Sequence, residues 1–214
     1  MGLEGLDALV LSHEHVDHTR GAIAISRRLS LPVYAGRAIS GRVGLLSALG
    51  RDAVVDLHAG QPFRIGCMEV VPFAVPHDAD DTLGFKVCDG RAKAGVATDL
   101  GSIDMDVLVG LSGCDVVVLE SNHDEAMLLE GPYPPSVKRR VKSPRGHLSN
   151  ADAAELIRCI SHDGLKHLAL AHLSRTNNAP ALPLDAARKA LGGRVSHVEL
   201  SLGWQDRIGK VIRV

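Results

Sequence analysis

Between Val10 and Gly21 the chain reads VLSHEHVDHTRG, which puts His13, His15, Asp17 and His18 within six residues directly after an apolar run. Neutral imidazole and carboxylate are ligands for zinc, manganese, iron or cobalt. In an extended stretch side chains alternate in direction, so His13 and His15 point the same way and can reach one ion. Asp17 and His18 follow where the chain turns into a helix, and can reach a second ion beside the first. His77, Asp99 and His172 come later and complete a set of five histidines and two aspartates. That exceeds what one tetrahedral zinc uses. It suits two divalent ions with Asp99 as a bridge, and two ions roughly 3.5–4 Å apart hold a hydroxide between them and clamp an in-line displacement.

The elements that must carry these residues are legible as an alternation of short apolar runs and helix-like stretches, the pattern of an α/β domain. Strands are expected over Leu6–Leu11, Val33–Ala35, Asp115–Glu120, Lys166–Ala171 and Val195–Leu200, with several more between Gln61 and Asp99. Cys88-Asp89-Gly90-Arg91 supplies a hairpin signal within that middle region. Helices are expected over Thr19–Leu29, Arg37–Leu49 and Pro183–Leu191, and from a Ser149 or Asn150 cap to about Ile160, where Asp152 makes a loose capping box. The Gly131-Pro132-Tyr133-Pro134-Pro135 patch reads as a loop. Apolar strands repeatedly end in a reactive residue: His13 and His15, His77, Asp99, Glu120 with His123 close behind, and His172. Sheets commonly place their sites at the carboxyl edges of strands, so these residues are expected to gather on one rim.

Bulk properties narrow the class. A chain of 214 residues, 45% hydrophobic, is read as one domain, 1–214, with a sizeable core. Its formal net charge of −1 creates no global field toward nucleic acid or membrane, so attraction to phosphate must be local. Such a local patch exists: Lys138, Arg139, Arg140, Lys142 and Arg145 crowd into eight positions and suggest a phosphodiester substrate. Four separated cysteines without a CxxC pair read as reduced, mostly buried thiols of a cytoplasmic protein. No signal peptide or transmembrane segment is expected. His58, His162, His167 and His197 are assigned structural roles only.

SHEHVDH resembles the HxHxDH signature of the metallo-β-lactamase superfamily, and VPHDA, ATDLG and AHLSR match its later pieces in order. LESNHDEAML, GPYPPSVKRRVKSPRGHLSN and LAHLSRTNN look like the YycJ/WalJ-type subfamily of nuclease-like members. The resemblance implies a four-layer αββα sandwich with a dinuclear site: His13, His15 and His77 on one metal, Asp17, His18 and His172 on the other, Asp99 bridging. His147 resembles the histidine that protonates the leaving oxygen in the transfer-RNA processing branch, and Glu120 the carboxylate that orients it. His123 is a candidate substrate contact. Only 21 residues separate His77 from Asp99 and 47 separate Asp99 from His147, leaving no room for a β-CASP insertion. The family places strands before its signature, whereas twelve residues precede His13; either the true start lies upstream or the sandwich lacks part of its N-terminal half, with a homodimer as one way to cover an open side.

The implied function is a metal-dependent phosphodiesterase, a DNA exonuclease more than an RNA one, using two divalent ions with zinc or manganese favoured over iron or cobalt. Hydroxide oriented by Asp17 and Asp99 is the expected nucleophile and His147 the general acid. A hydrolase of small cyclic phosphodiesters, thioesters or lactones is the first alternative. A metal-binding family member without turnover is the second.

Overall fold

The computed structural model describes residues 5–42 and 44–213. β1 (Leu9–Val10), β2 (Val33–Gly36) and β3 (Val54–Leu57) form a parallel three-stranded sheet in that order. The crossover from β1 to β2 contains α1 (Val16–Thr19) and α2 (Ala22–Leu29); α3 (Arg37–Arg42) and α4 (Leu45–Leu49) lie between β2 and β3. Both helices expected here are therefore split. Gly21 separates α1 from α2, and Gly44, at φ +64, turns the chain left-handed before α4. Val43, inside the expected Arg37–Leu49 helix, lies outside the described residues. The expected Leu6–Leu11 strand is shortened to its two paired residues.

The second sheet is larger and mixed. Its order is β10 (Glu199–Leu202), β9 (His167–Ala171), β8 (Val116–Glu120), β7 (Lys93–Ala97), β6 (Leu83–Cys88), β5 (Met68–Ala74), β4 (Phe63–Ile65). β4 to β7 form an antiparallel meander and β7 to β10 are parallel. The Cys88–Arg91 turn is closed by Asp89 Oδ1, which accepts from the backbone N–H groups of Arg91 (2.8 Å) and Ala92 (2.9 Å), with Gly90 at φ +88. Because β5 and β7 each run antiparallel to β6, they are parallel to one another. The carboxyl ends of β5, β7, β8 and β9 thus share one edge.

Helices α5 (Met105–Leu111), α6 (Glu125–Glu130), α7 (Pro135–Val141), α8 (Asn150–Ile160) and α9 (Ala181–Leu191) fill the later connections. Asp104 and Asp124 cap α5 and α6 through the backbone N–H groups of Val107 and Met127. Ser149 and Asp152 complete a full capping box on α8. Short α5, α6 and α7, and β3, escaped the periodicity reading. The Val195–Leu200 expectation is corrected: residues 192–196 wind into a 3₁₀ turn and the strand starts at Glu199.

One core gathers Phe73, Leu111, Leu119, Leu156, Ile157 and Leu168 between the large sheet and α5, α8 and α9. A smaller one gathers Leu11, Ala22, Val33, Ala35, Ile39 and Leu45 around the first sheet. The result is the layered α/β sandwich expected. Of the cysteines only Cys114 is buried; Cys67 and Cys159 are exposed and Cys88 is partly covered, which corrects the expectation of mostly buried thiols. Among the described residues no helix is long and apolar enough to cross a membrane.

Candidate metal centre

The shared strand edge is where the reactive residues meet. Leaving β1, the chain reaches Ser12, whose carbonyl accepts from the Leu83 N–H of the larger sheet (2.9 Å) and so ties the two sheets together beside His13. His15 precedes the single turn of α1, which carries Asp17 and His18. His77 follows β5, Asp99 follows β7, Glu120 ends β8 and His172 follows β9. Asp99 (φ +58) and His172 (φ +56) both adopt the left-handed conformation, which side-chain-bearing residues rarely do and which turns each abruptly off its strand.

The structure brings all seven expected ligands together. His13, His15 and His77 offer nitrogen atoms within 4.8 Å of one another; so do the ligand atoms of Asp17, His18 and His172, and those of His13, His18 and Asp99. Imidazole centroids of His13 lie 4.1 Å from His18, 4.6 Å from His15 and 5.1 Å from His77. Ligand atoms crowded so closely could share a cation.

Two atoms make the same point. His13 Nε2 and Asp99 Oδ2 are buried without a hydrogen bond, although His18 Nε2 stands 3.1 Å from the latter in poor alignment. Buried polar atoms are almost always satisfied, so this pair fits a divalent metal. Protonation favours it too. Burial, reinforced by neighbouring imidazoles, pushes His13 down to about 3, leaving a neutral ligand. Burial also lowers His77, whose Nδ1 donates to Gly146 O (3.1 Å) and frees Nε2 for the site. Burial opposes ionisation of Asp99, but the adjacent histidines outweigh it and hold the carboxyl well below the usual range.

Glu120 is fully buried and does more than orient one histidine. Its Oε1 accepts from His147 Nδ1 (2.9 Å) and from His172 Nδ1 (2.6 Å). Its Oε2 accepts from the backbone N–H groups of Leu100 (2.7 Å) and Leu148 (3.3 Å). One carboxylate thus fixes an expected ligand, the expected acid and the loops bearing Asp99 and His147. Burial lowers the basicity of His172, but Glu120 and Asp99 reverse that and raise it to about 9.

The remaining expected residues separate. His123 is 2% exposed, its Nδ1 without a hydrogen bond. Three of the five residues in the basic stretch are engaged in internal contacts. Arg140 pairs with Asp78, Lys138 Nζ donates to Leu129 O (2.6 Å) and Arg145 Nε donates to His77 O (2.7 Å). Arg139 and Lys142 are exposed and have no ion pair among the described residues. Sequence reasoning missed Asp78, whose Oδ1 lies 3.3 Å from His77 Nε2; its adjacency to His77 was the available signal. It also missed Ser12, whose Oγ lies 3.1 Å from His13 Nδ1 and 3.2 Å from His18 Nδ1.

Comparison with known proteins agrees with this geometry. Exodeoxyribonuclease YycJ of Bacillus anthracis is 33% identical over 183 residues, 85% of this chain and 69% of that protein. Exodeoxyribonuclease WalJ of Streptococcus pneumoniae is 28% identical over 204 residues, 94% of this chain and 74% of that protein. The crystal structure of the metallo-β-lactamase fold protein YhfI from Bacillus subtilis superposes with a TM-score of 0.68 at 17% identity, covering 92% of this chain and 75% of the other. A model of the beta-lactamase superfamily domain matches residues 1–172, taking in every expected ligand, and the chain belongs to the metallo-β-lactamase superfamily of hydrolases.

Proposed function

We propose that this hydrolase cleaves phosphodiester bonds of DNA from a strand end, holding two divalent cations, zinc or manganese. The observation that carries the reading is the pair of unsatisfied buried atoms, His13 Nε2 and Asp99 Oδ2, in the middle of five convergent histidines and beside the His147–Glu120 pair. The exodeoxyribonuclease relatives supply the choice of DNA over other esters. His13, His15 and His77 would hold one cation and Asp17, His18 and His172 the other, with Asp99 between them. When bound, the cations supply charge for the phosphoryl oxygens and bring the pKa of water toward neutrality.

The chain's own residues do the rest. Asp17 and Asp99 accept hydrogen bonds from the attacking water and set its direction. His147 gives its Nδ1–H to Glu120, which fixes the tautomer. Its Nε2 then carries the proton for the departing oxygen. Arg139 and Lys142, without ion pairs among the described residues, attract the flanking phosphates.

Digestion of end-labelled duplex DNA with manganese or zinc tests this. Wild type shortens the strand only with metal. Asp99→Ala loses most bound metal and all digestion. His147→Ala keeps its metal by elemental analysis and slows by about 10²–10⁴-fold. Intact DNA with stoichiometric metal in the wild type would overturn the reading in favour of a small-molecule hydrolase, and equal metal loss in both variants would overturn the division of roles.

A further inference from the structure

We propose that Trp204 is a stacking platform for a base at the unpaired end of the DNA strand, seated in a groove that runs from His147 and His172 past Arg175. This rests on the DNA reading above and adds where the strand lies.

Strand register places the residue. β10 pairs in parallel with β9, Leu202 opposite Leu170. Trp204 is the second residue beyond β10, and His172 the first beyond β9. Gly203 continues the pairing, its N–H donating to Leu170 O (2.8 Å). Gly203 also passes so near β9 that an added Cβ would stand 3.1 Å from Ala171 Cβ. The segment after β10 is thereby pinned beside the site.

Two cavities join there. One of about 310 Å³ is lined by Asn122, Tyr133, His147 and His172 among others. The next, of about 320 Å³, reaches Pro180 and Trp204. They share Leu173, Ser174, Arg175 and Gln205, so they adjoin along one stretch of surface. Each is of the size that takes a small organic group.

The aromatic distribution points the same way. The chain has six aromatic side chains of the Phe, Tyr and Trp types. Tyr34 stacks on Phe63, Phe73 is buried in the core and Phe85 lies within β6. The two left over, Tyr133 and Trp204, both line the groove. Trp204 keeps 39% of its surface exposed while the Arg207 guanidinium lies 3.8 Å over its ring. Arg175 faces Asp206 at 3.9 Å, so the two arginines outnumber the one carboxylate. An exposed indole flanked by cations is how proteins hold single strands without reading sequence: each base offers a π face and each phosphate a charge.

Trp204 is the chain's single tryptophan, so its fluorescence reports this site alone. The probe is a phosphorothioate-linked oligothymidylate, which resists cleavage, titrated into metal-loaded protein beside an abasic oligomer of equal charge. The oligothymidylate is expected to quench the fluorescence saturably and the abasic oligomer to leave it unchanged. By anisotropy of a labelled oligothymidylate, Trp204→Ala binds about 5- to 150-fold more weakly, and Trp204→Phe recovers most of the loss. Metal content and the circular dichroism spectrum stay at wild-type values in both variants. DNA digestion that persists while quenching is equal for both oligomers, or affinity is unchanged in Trp204→Ala, overturns the stacking role alone. Failure of the wild type to bind or digest any DNA overturns the DNA reading beneath it.

Discussion

At the scale of single residues the least replaceable group is a carboxylate that touches no substrate. Glu120 accepts four hydrogen bonds, two from imidazoles and two from backbone, and is wholly shielded from water. Hydrogen bonds to a charged group are worth about 1.5–3 kcal/mol each when one partner is altered. Glu120→Gln keeps the shape but turns one acceptor into a donor facing other donors. The expected cost is about 2–3 kcal/mol of folding stability by urea denaturation, together with loss of both metal binding and turnover. A variant with wild-type stability and metal content but slow turnover would reduce Glu120 to a partner of His147 alone. The sequence showed Glu120 at a strand end near His123. It could not show that His172, 52 positions later, would share the same oxygen with His147. Ligand types and their spacing are local information, whereas a shared acceptor depends on how strands are ordered.

At the scale of elements, the strand ends were legible and the loops between them were not. Alternation of apolar and polar runs, plus reactive residues at the ends of runs, located β5, β7, β8 and β9 and the edge they share. Split helices in the first crossovers and short α5 to α7 were not, because four to eight residues carry too little periodicity to stand out. Loop packing at the site is set instead by two glycines. A Cβ on Gly101 would come within 2.5 Å of Gly146 N and Pro144 O; one on Gly146 would come within 2.2 Å of Val141 O. These backbones touch, and that contact holds the loop after Asp99 against the loop before His147. Gly101→Ala must push them apart. Overpacking of this kind costs about 1–3 kcal/mol, and a shift of about 1 Å between Asp99 and His147 costs on the order of 100-fold in rate. Digestion assays and a thermal melt on the purified variant check both; unchanged rates would show that the loops relax without moving the two side chains.

At the scale of the whole molecule, the expected ligands come from two bodies of unequal strength. His13, His15, Asp17 and His18 belong to the segment of the small sheet, whose core gathers six buried apolar residues among the described ones; His77, Asp99 and His172 belong to the large sheet, whose core gathers twenty among them. Direct links between the two include Leu83 N–H to Ser12 O, Gly60 N–H to Pro72 O, Ala38 N–H to Asp81 Oδ2, Asp80 N–H to Glu14 Oε1, the Arg42–Asp80 pair and the Tyr34 ring stacked on Phe63. A metal pair held by both sets, as proposed, would also be a clasp. Ligand binding to the folded state alone adds about 2.7 kcal/mol at a hundred times the dissociation constant. The weaker body should feel its removal more, since local opening follows local core size and contact density. Hydrogen exchange before and after chelation should show protection falling across Leu9–Leu57 while β6 to β9 keep most of theirs, and re-addition of manganese or zinc should restore it. Equal loss in both sheets would mean that the two cores unfold as one unit, and that the small sheet draws its stability from packing on the large one and not from the site between them.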